Sequence, residues 1–81
     1  MSHAPYQPIA CSQYDVYEIA IMHGEWLELL WHDEQGVEHC ERVKPISLQT
    51  QDGEEFLLFQ RNTLPTNAVE RVRLDRLQSI K

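Results

Sequence analysis

The hydrophobic period of this chain changes at Gly24, and this change restricts the folds open to it. Between Gln13 and His23 apolar side chains recur every three or four residues, which is the period of a helix with one buried face. From Glu25 onward they alternate every second residue, which is the period of a β-strand. One N-terminal helix followed by an antiparallel sheet is therefore expected.

Proline excludes a helix from the first residues of the chain. Residues 1–11 contain Pro5 and Pro8 and are expected to form an extended lead-in. Ser12, followed three positions later by an aspartate, matches a capping box, so the helix is predicted over residues 12–23, with the next glycine as its stop signal. Its buried face is predicted to run through Val16, Ile19, Ala20 and His23, with Tyr14, Tyr17 and Ile21 beside them.

Residues 25–80 are expected to form four or five short strands. In the first of them Leu27, Leu29 and Trp31 point to one face of the sheet. Trp26 points to the other face, so at most one of the two tryptophans can belong to the core.

Turn residues divide this part of the chain into consecutive antiparallel strands. Residues 33–36 and the pair Asp52-Gly53 are expected to form hairpin turns, and the second is the strongest turn signal in the chain. Pro45 removes a ladder hydrogen bond, so its strand must bend or lie at an edge there. Residues 61–67 are expected to form a loop, followed by one edge strand from residue 69 to the C-terminus.

These elements predict a mainly β fold with one N-terminal helix. A small, strongly bent antiparallel sheet is expected to form a barrel of the SH3, Sm or OB type. The chain has 81 residues, so residues 1–81 are expected to fold as a single domain. So short a chain leaves little room for an enclosed substrate cavity beside its core, and this favours a binding protein over an enzyme.

The charge of the chain is unevenly distributed. Residues 1–60 carry 11 Asp and Glu against 2 basic residues, a net charge of −9. Residues 61–81 carry 2 acidic and 5 basic residues, a net charge of +3. An acidic surface repels phosphate and attracts basic protein surfaces. Nucleic acid is therefore not expected as a direct ligand, and a basic protein partner is favoured.

The sequence lacks the residue spacing of a metal or catalytic site. His32, His39 and Cys40 could meet on the first hairpin and bind zinc, but the paired ligands typical of such sites are missing. A Cys–His nucleophile would need an orienting group and an oxyanion site that so small a chain can hardly shelter. No enzymatic activity, cofactor or metal is expected. The two cysteines are expected to be free thiols, and the isolated protein is expected to be a monomer.

The hydropathy of the chain bears on its location. No apolar run approaches the roughly 18 residues of a transmembrane helix. The first 13 residues contain no apolar stretch or small-residue cleavage pattern of a secretory signal. Membrane insertion is therefore not expected, and a cytoplasmic location is.

Three segments resemble the Rof family of Rho-binding antiterminators. They are the string Tyr6-Gln7-Pro8-Ile9 with Cys11, the helix residues Tyr14, Asp15 and Glu18, and the string Val72-Arg73-Leu74-Asp75-Arg76-Leu77 with Ile80. The resemblance covers essentially the whole chain. Its first two segments are specific at this spacing, whereas the middle strands agree only in pattern.

The resemblance implies a bacterial cytoplasmic protein in which a helix precedes an Sm-like barrel. Such a protein binds the primary RNA-binding domain of the termination factor Rho and keeps RNA from loading. The resemblance also implies that Tyr14, Asp15 and Glu18 contact basic residues in the RNA groove of Rho. The residues themselves agree with this, because Asp15 and Glu18 share one helical stripe on which two carboxylates can engage Arg or Lys. A capping role for Asp15 and packing against the barrel for Tyr14 are the alternatives.

One turn departs from the family pattern. In relatives the turn occupied here by Gln51-Asp52-Gly53 can be basic, so partner contacts at this turn are not carried over. The alternative function is an Sm-like RNA-binding protein, which the implied fold favours. The charge of residues 1–60 opposes it, because non-specific RNA affinity depends on basic residues that neutralise phosphates.

Overall fold

The computed structural model describes residues 6–62 and 68–79. Its elements are, in chain order, the helix α1 (Cys11–His23), the strands β1 (Leu27–His32), β2 (Glu38–Gln51), β3 (Glu54–Arg61) and β4 (Val69–Arg73), a 3₁₀ helix (Leu74–Arg76) and the strand β5 (Leu77–Ser79). The strands form one antiparallel sheet in the order β4-β3-β2-β1-β5. The mainly β fold with one N-terminal helix is confirmed. No helix in the described part of the chain has the length and apolar character needed to cross a membrane.

The helix α1 begins without the predicted capping box. Its N-cap is Ala10, no side chain caps it, and the backbone N–H groups of Gln13 and Tyr14 donate to the Ala10 carbonyl. The helix therefore starts one residue before Ser12, and its first turn contains no acidic residue. The end of the helix is as predicted. Gly24 adopts a left-handed conformation with φ 65°, where a residue without a Cβ is favoured.

The buried face of α1 differs from the predicted stripe. Tyr17 and Ala20 are buried, whereas Val16 and Ile19 are 39% and 50% exposed and His23, also predicted to be buried, is exposed. The Gln13 side-chain amide donates to the Tyr17 hydroxyl at 3.1 Å and to the backbone carbonyl of Leu77 at 3.3 Å. These bonds fix the face of α1 that turns inward. Apolar side chains occur almost all round this helix, so the period alone did not select the face.

The two predicted hairpins are present. Leu27 of β1 pairs with Val43 of β2, and the pairing continues as far as His32 and Glu38. In the second hairpin Asp52 and Gly53 have φ values of 54° and 77°. Positive φ at both central residues is the geometry of a type I′ turn, whose twist matches that of paired strands. The local turn chemistry therefore sets the register of β2 and β3 next to this turn, where Gln51 pairs with Glu54.

The long strand β2 bends at Pro45, as predicted. The register of its pairing with β3 shifts between Pro45 and Ser47. Strand β1 pairs with β2 only up to Val43, so the missing N–H of the proline costs no bond to β1. The first half of β2 thus pairs with β1 and the second half with β3.

The predicted C-terminal edge strand is wrong. Strand β4 ends at Arg73, and a 3₁₀ helix carries the chain to β5, which pairs with β1 at the other edge of the sheet. Leu74 and Leu77 are both buried. A continuous strand would put residues three apart on opposite faces, whereas a 3₁₀ turn brings them to the same side. Most of the predicted loop at 61–67, and the last predicted strand residue, lie outside the described residues.

The short link between β4 and β5 requires a curved sheet. A flat sheet of five strands would separate its edge strands by about 19 Å. The chain from Arg73 to Leu77 spans at most about 15 Å. The sheet therefore curls so that its edges approach each other. Within residues 6–62 and 68–79 no hydrogen-bonded ladder joins β4 to β5, so the sheet is not closed.

The core joins α1 to one face of the sheet. Its buried side chains are Tyr17, Ala20, Leu27, Leu29, Trp31, Val43, Leu57, Phe59, Val72, Leu74 and Leu77. Trp31 is 2% exposed and packs edge-on against Phe59, with ring centroids 5.0 Å apart. Trp26 is 38% exposed. The prediction that at most one tryptophan belongs to the core is confirmed.

Candidate functional site

The two carboxylates predicted to bind a partner stand on the outer surface of α1. Asp15 and Glu18 are both exposed, on the side of the helix opposite Tyr17 and Ala20. Residues three apart on a helix are neighbours, with Cβ atoms about 5–6 Å apart. Neither carboxylate forms an ion pair with a basic side chain of the described residues. Both are therefore available to cations from another molecule.

Tyr14 lies at the edge of this pair of carboxylates. Its side chain is partly buried and packs against the core. Burial raises the pKa of the Tyr14 hydroxyl, and the negative charges of Glu55 and Glu18 raise it further. The hydroxyl therefore stays protonated and can donate a hydrogen bond. Packing against the core and a position beside the carboxylates are both present in the structure.

A second tyrosine and a third carboxylate adjoin the predicted residues. The Tyr6 hydroxyl, from the lead-in, donates to Glu55 Oε1 of β3 at 3.0 Å. The charge of Glu55 also raises the pKa of the Tyr14 hydroxyl, so Glu55 of β3 lies near Tyr14 of α1. We call Tyr14, Asp15, Glu18 and Glu55 the helix surface. Sequence periodicity could not find Glu55, because its hydrogen bond to the lead-in joins residues that are 49 apart in the sequence.

The lead-in is held in place by a buried ion pair. The backbone N–H of Gln7 donates to Asp75 Oδ2 at 3.0 Å. Arg73 donates to both oxygens of Asp75, from Nε at 2.6 Å and from an amino group at 2.9 Å. Burial raises the pKa of Asp75, but the hydrogen bonds from Arg73 and Gln7 outweigh it and leave the pKa below its ordinary value. This ion pair places Tyr6 next to β3.

The basic C-terminal segment contributes to a separate cleft of about 590 Å³. The cleft is lined by Arg61, Arg71, Arg73 and Arg76, together with the aromatic side chains Trp31 and Phe56. Two of these arginines are held by carboxylates. Arg61 pairs with Glu41 and lies 3.5 Å from Glu70, while Arg73 pairs with Asp75 and lies 3.5 Å from Glu54.

A third arginine of the cleft is held by amides. Arg71 donates to Gln49 at 3.3 Å and to Gln51 at 2.7 Å. Its guanidinium lies 4.0 Å from the ring centroid of Phe56. Most of the positive charge in the cleft is thus engaged in intramolecular contacts. Among the described arginines of this segment, Arg61 and Arg73 are paired with carboxylates, whereas Arg71 is held by neutral amides and keeps its charge.

The residues considered for zinc do not converge. His39 Nε2 lies 3.0 Å from Asp33 Oδ2. Cys40 is the next residue along β2, so its side chain points to the opposite face of the strand, where it is exposed. His32 faces Glu38, with 3.9 Å between its Nε2 and the nearer carboxylate oxygen. The described residues contain no group of three or more potential ligands arranged around one point.

The hydrogen bond from Tyr6 to Glu55 predicts that this tyrosine loses its proton only at high pH. Burial and the bond to Glu55 raise the pKa of Tyr6 to about 12. An unfolded tyrosine titrates near pH 10, so neutral Tyr6 stabilises the fold below about pH 10, and this contribution is lost as the pH rises through the folded pKa. The pKa values of Tyr14 and Tyr17 are also raised, so an absorbance titration of phenolate should show a late step in both proteins, smaller by one tyrosine in Tyr6→Phe than in the wild type. If the amplitude of the late step is the same in the two proteins, Tyr6 is not bonded to Glu55 in solution.

Comparison with protein-family models finds no match to this chain, and comparisons with curated proteins and with solved structures find none either. The function must therefore be argued from the geometry and charge of the helix surface.

Proposed function

We propose that this protein binds the primary RNA-binding domain of the termination factor Rho and blocks RNA loading, and so acts as an inhibitor of Rho-dependent termination. The observation that carries the proposal is a pair of exposed carboxylates on one stripe of α1, Asp15 and Glu18, which form no ion pair with residues 6–62 or 68–79. These residues, with Tyr14, are the ones that match the Rof pattern in the sequence. The protein has no catalytic role in this proposal.

The chemistry of RNA binding explains how an acidic protein could act in this way. A groove that binds RNA holds phosphates with Arg and Lys side chains. The same side chains form charge-assisted hydrogen bonds with carboxylates. Asp15 and Glu18 would take the place of phosphates, and Glu55 would add negative charge on the same side. The net charge of −6 would draw the protein towards such a groove and speed the encounter.

The proposal includes an Sm-like barrel as the scaffold. The bend of β2 at Pro45, the strand order β4-β3-β2-β1-β5 and the approach of the edge strands are all in keeping with a small barrel. An N-terminal helix that packs on such a sheet presents its outer face to a partner.

A competition experiment tests the proposal. Purified Rho is loaded with a fluorescently labelled single-stranded RNA, and the protein is titrated into the complex while anisotropy is recorded. We expect the protein to release the RNA, to do so more strongly at low salt, and to relieve Rho-dependent termination in transcription with purified components. In a parallel titration with labelled RNA alone we expect no measurable binding at physiological salt.

The two titrations separate the candidate functions. Micromolar or tighter binding to free RNA would favour the Sm-like RNA-binding alternative and defeat the charge argument. Failure to displace RNA from Rho, with the protein folded by circular dichroism, would overturn the proposed function.

A further inference from the structure

The acidic stripe of α1 continues into an apolar one. Met22 is 76% exposed and Ile19 is 50% exposed, so most of both side chains is in contact with water. Met22 lies four residues after Glu18, and Ile19 lies four residues after Asp15. This spacing puts all four side chains on the same outward stripe. The N-terminal half of the stripe is therefore acidic and the C-terminal half apolar.

We propose that Ile19 and Met22 form the apolar half of the docking surface and contact apolar side chains that border the basic groove of the protein partner. This inference rests on the proposed function and specifies the partner's surface. That surface should have cations facing Asp15 and Glu18 and an apolar patch about 6 Å further along the helix axis, which is the rise of four helical residues.

The charge of the stripe selects a basic protein surface over other occupants. RNA and anionic lipids carry phosphates, which the carboxylates of Asp15 and Glu18 would repel. A second copy of the chain, packed antiparallel through this stripe, would place Asp15 opposite Met22 and Glu18 opposite Ile19, so each carboxylate would be buried against an apolar side chain without a counter-charge, which is destabilising. A basic protein surface with an apolar border satisfies both halves of the stripe.

The contributions of the acidic half and the apolar half to the binding affinity should depend differently on salt concentration. Attraction between exposed charges is screened as ionic strength rises, whereas burial of apolar surface is not weakened by screening. Removing a carboxylate should therefore flatten the dependence of log Kd on log salt. Removing an apolar side chain should raise Kd at every salt concentration and leave the slope as it was.

The test compares matched variants with purified Rho over a series of salt concentrations. Met22→Gln keeps the length and helix-forming tendency of the side chain, and we expect it to raise Kd by about tenfold with an unchanged salt slope. Ile19→Gln should act in the same direction. Val37→Gln is the control, because Val37 is 51% exposed but lies in the turn before β2, away from α1. We expect the control to bind as the wild type does.

The outcomes distinguish this inference from the proposed function. If Ile19→Gln and Met22→Gln, singly and combined, bind Rho like the wild type while Glu18→Gln has a flatter slope, the apolar half is not in the interface and the proposed function stands. A changed slope in Met22→Gln would also overturn the inference. Wild-type protein that does not bind Rho at any salt concentration would overturn both.

Discussion

Glu18→Lys should leave the fold intact and remove most of the affinity for Rho. Glu18 is exposed and makes no ion pair with the described residues, so the melting temperature should change little. Reversing a charge that faces a basic groove removes an attraction and adds a repulsion. For a charge pair buried on binding this costs about 2–5 kcal/mol, which raises Kd by about 30-fold or more. The measurement is RNA displacement from Rho by anisotropy, with thermal unfolding recorded for the same sample.

A matched charge reversal controls for the change in net charge. Glu34→Lys alters the net charge by the same amount. Glu34, however, lies in the turn that follows β1, at the end of this strand that is farther from α1. We expect this control to lose little affinity. Asp15→Asn is a second informative variant, because Asp15 is outside the first turn of the helix and its removal costs no cap. If Glu18→Lys and Asp15→Asn both fold and displace RNA as well as the wild type, α1 is not the contact surface.

Local sequence signals predicted the elements whose shape depends on neighbouring residues. The predicted inward direction of Leu27, Leu29 and Trp31 matches their burial in β1, where Glu28 and His32 are exposed and Leu30 is partly buried. Asp52 and Gly53 form their turn because both accept positive φ. In each case the deciding interaction lies within a few residues of the signal, so the sequence alone contained the information.

Features that depend on distant contacts were not predictable in this way. The inward face of α1 packs Tyr17 and Ala20 into the core and includes the bond from Gln13 to the carbonyl of Leu77, which is 64 residues away. The 3₁₀ helix at Leu74–Arg76 is needed because the chain must cross from one edge of the sheet to the other. Asp15 and Glu18 could be placed on the helix from spacing, but Glu55 joins them through tertiary structure.

The buried ion pair between Arg73 and Asp75 holds the lead-in and, through it, a residue of the helix surface. Arg73 is 5% exposed in a core that is otherwise apolar, and Asp75 keeps only 9% of its side-chain surface. Through the bond from Asp75 to Gln7, this pair fixes the chain that carries Tyr6. Glu55 then receives its hydrogen bond from Tyr6. A change at Arg73 should therefore affect folding first and the helix surface as a consequence.

Arg73→Met should cause the largest loss of stability among these variants. The substitution keeps much of the side-chain volume but leaves the buried carboxylate of Asp75 without its guanidinium. Removing one partner of a buried ion pair costs about 3–5 kcal/mol, a large part of the roughly 5–15 kcal/mol that stabilises a domain. Urea unfolding at neutral pH is the measurement. The double variant Arg73→Met/Asp75→Asn should recover part of the loss, because it removes the uncompensated charge.

The contribution of Asp75 to the pH dependence of stability should have opposite signs in Arg73→Met and in the wild type. In the wild type the pKa of Asp75 is lowered, so the ionised carboxylate stabilises the fold above its unfolded value near pH 4, and this contribution is lost as the pH falls through the lower folded pKa. Without Arg73, burial is opposed only by the bond from Gln7 and the charge of Arg76, so we expect the pKa of Asp75 to rise above its ordinary value. The folded variant then binds a proton more readily than the unfolded chain, so its stability deficit should shrink as the pH falls towards about 4. A deficit that stays constant over this range, or a double variant no more stable than Arg73→Met, would show that Asp75 is not held by Arg73 in solution.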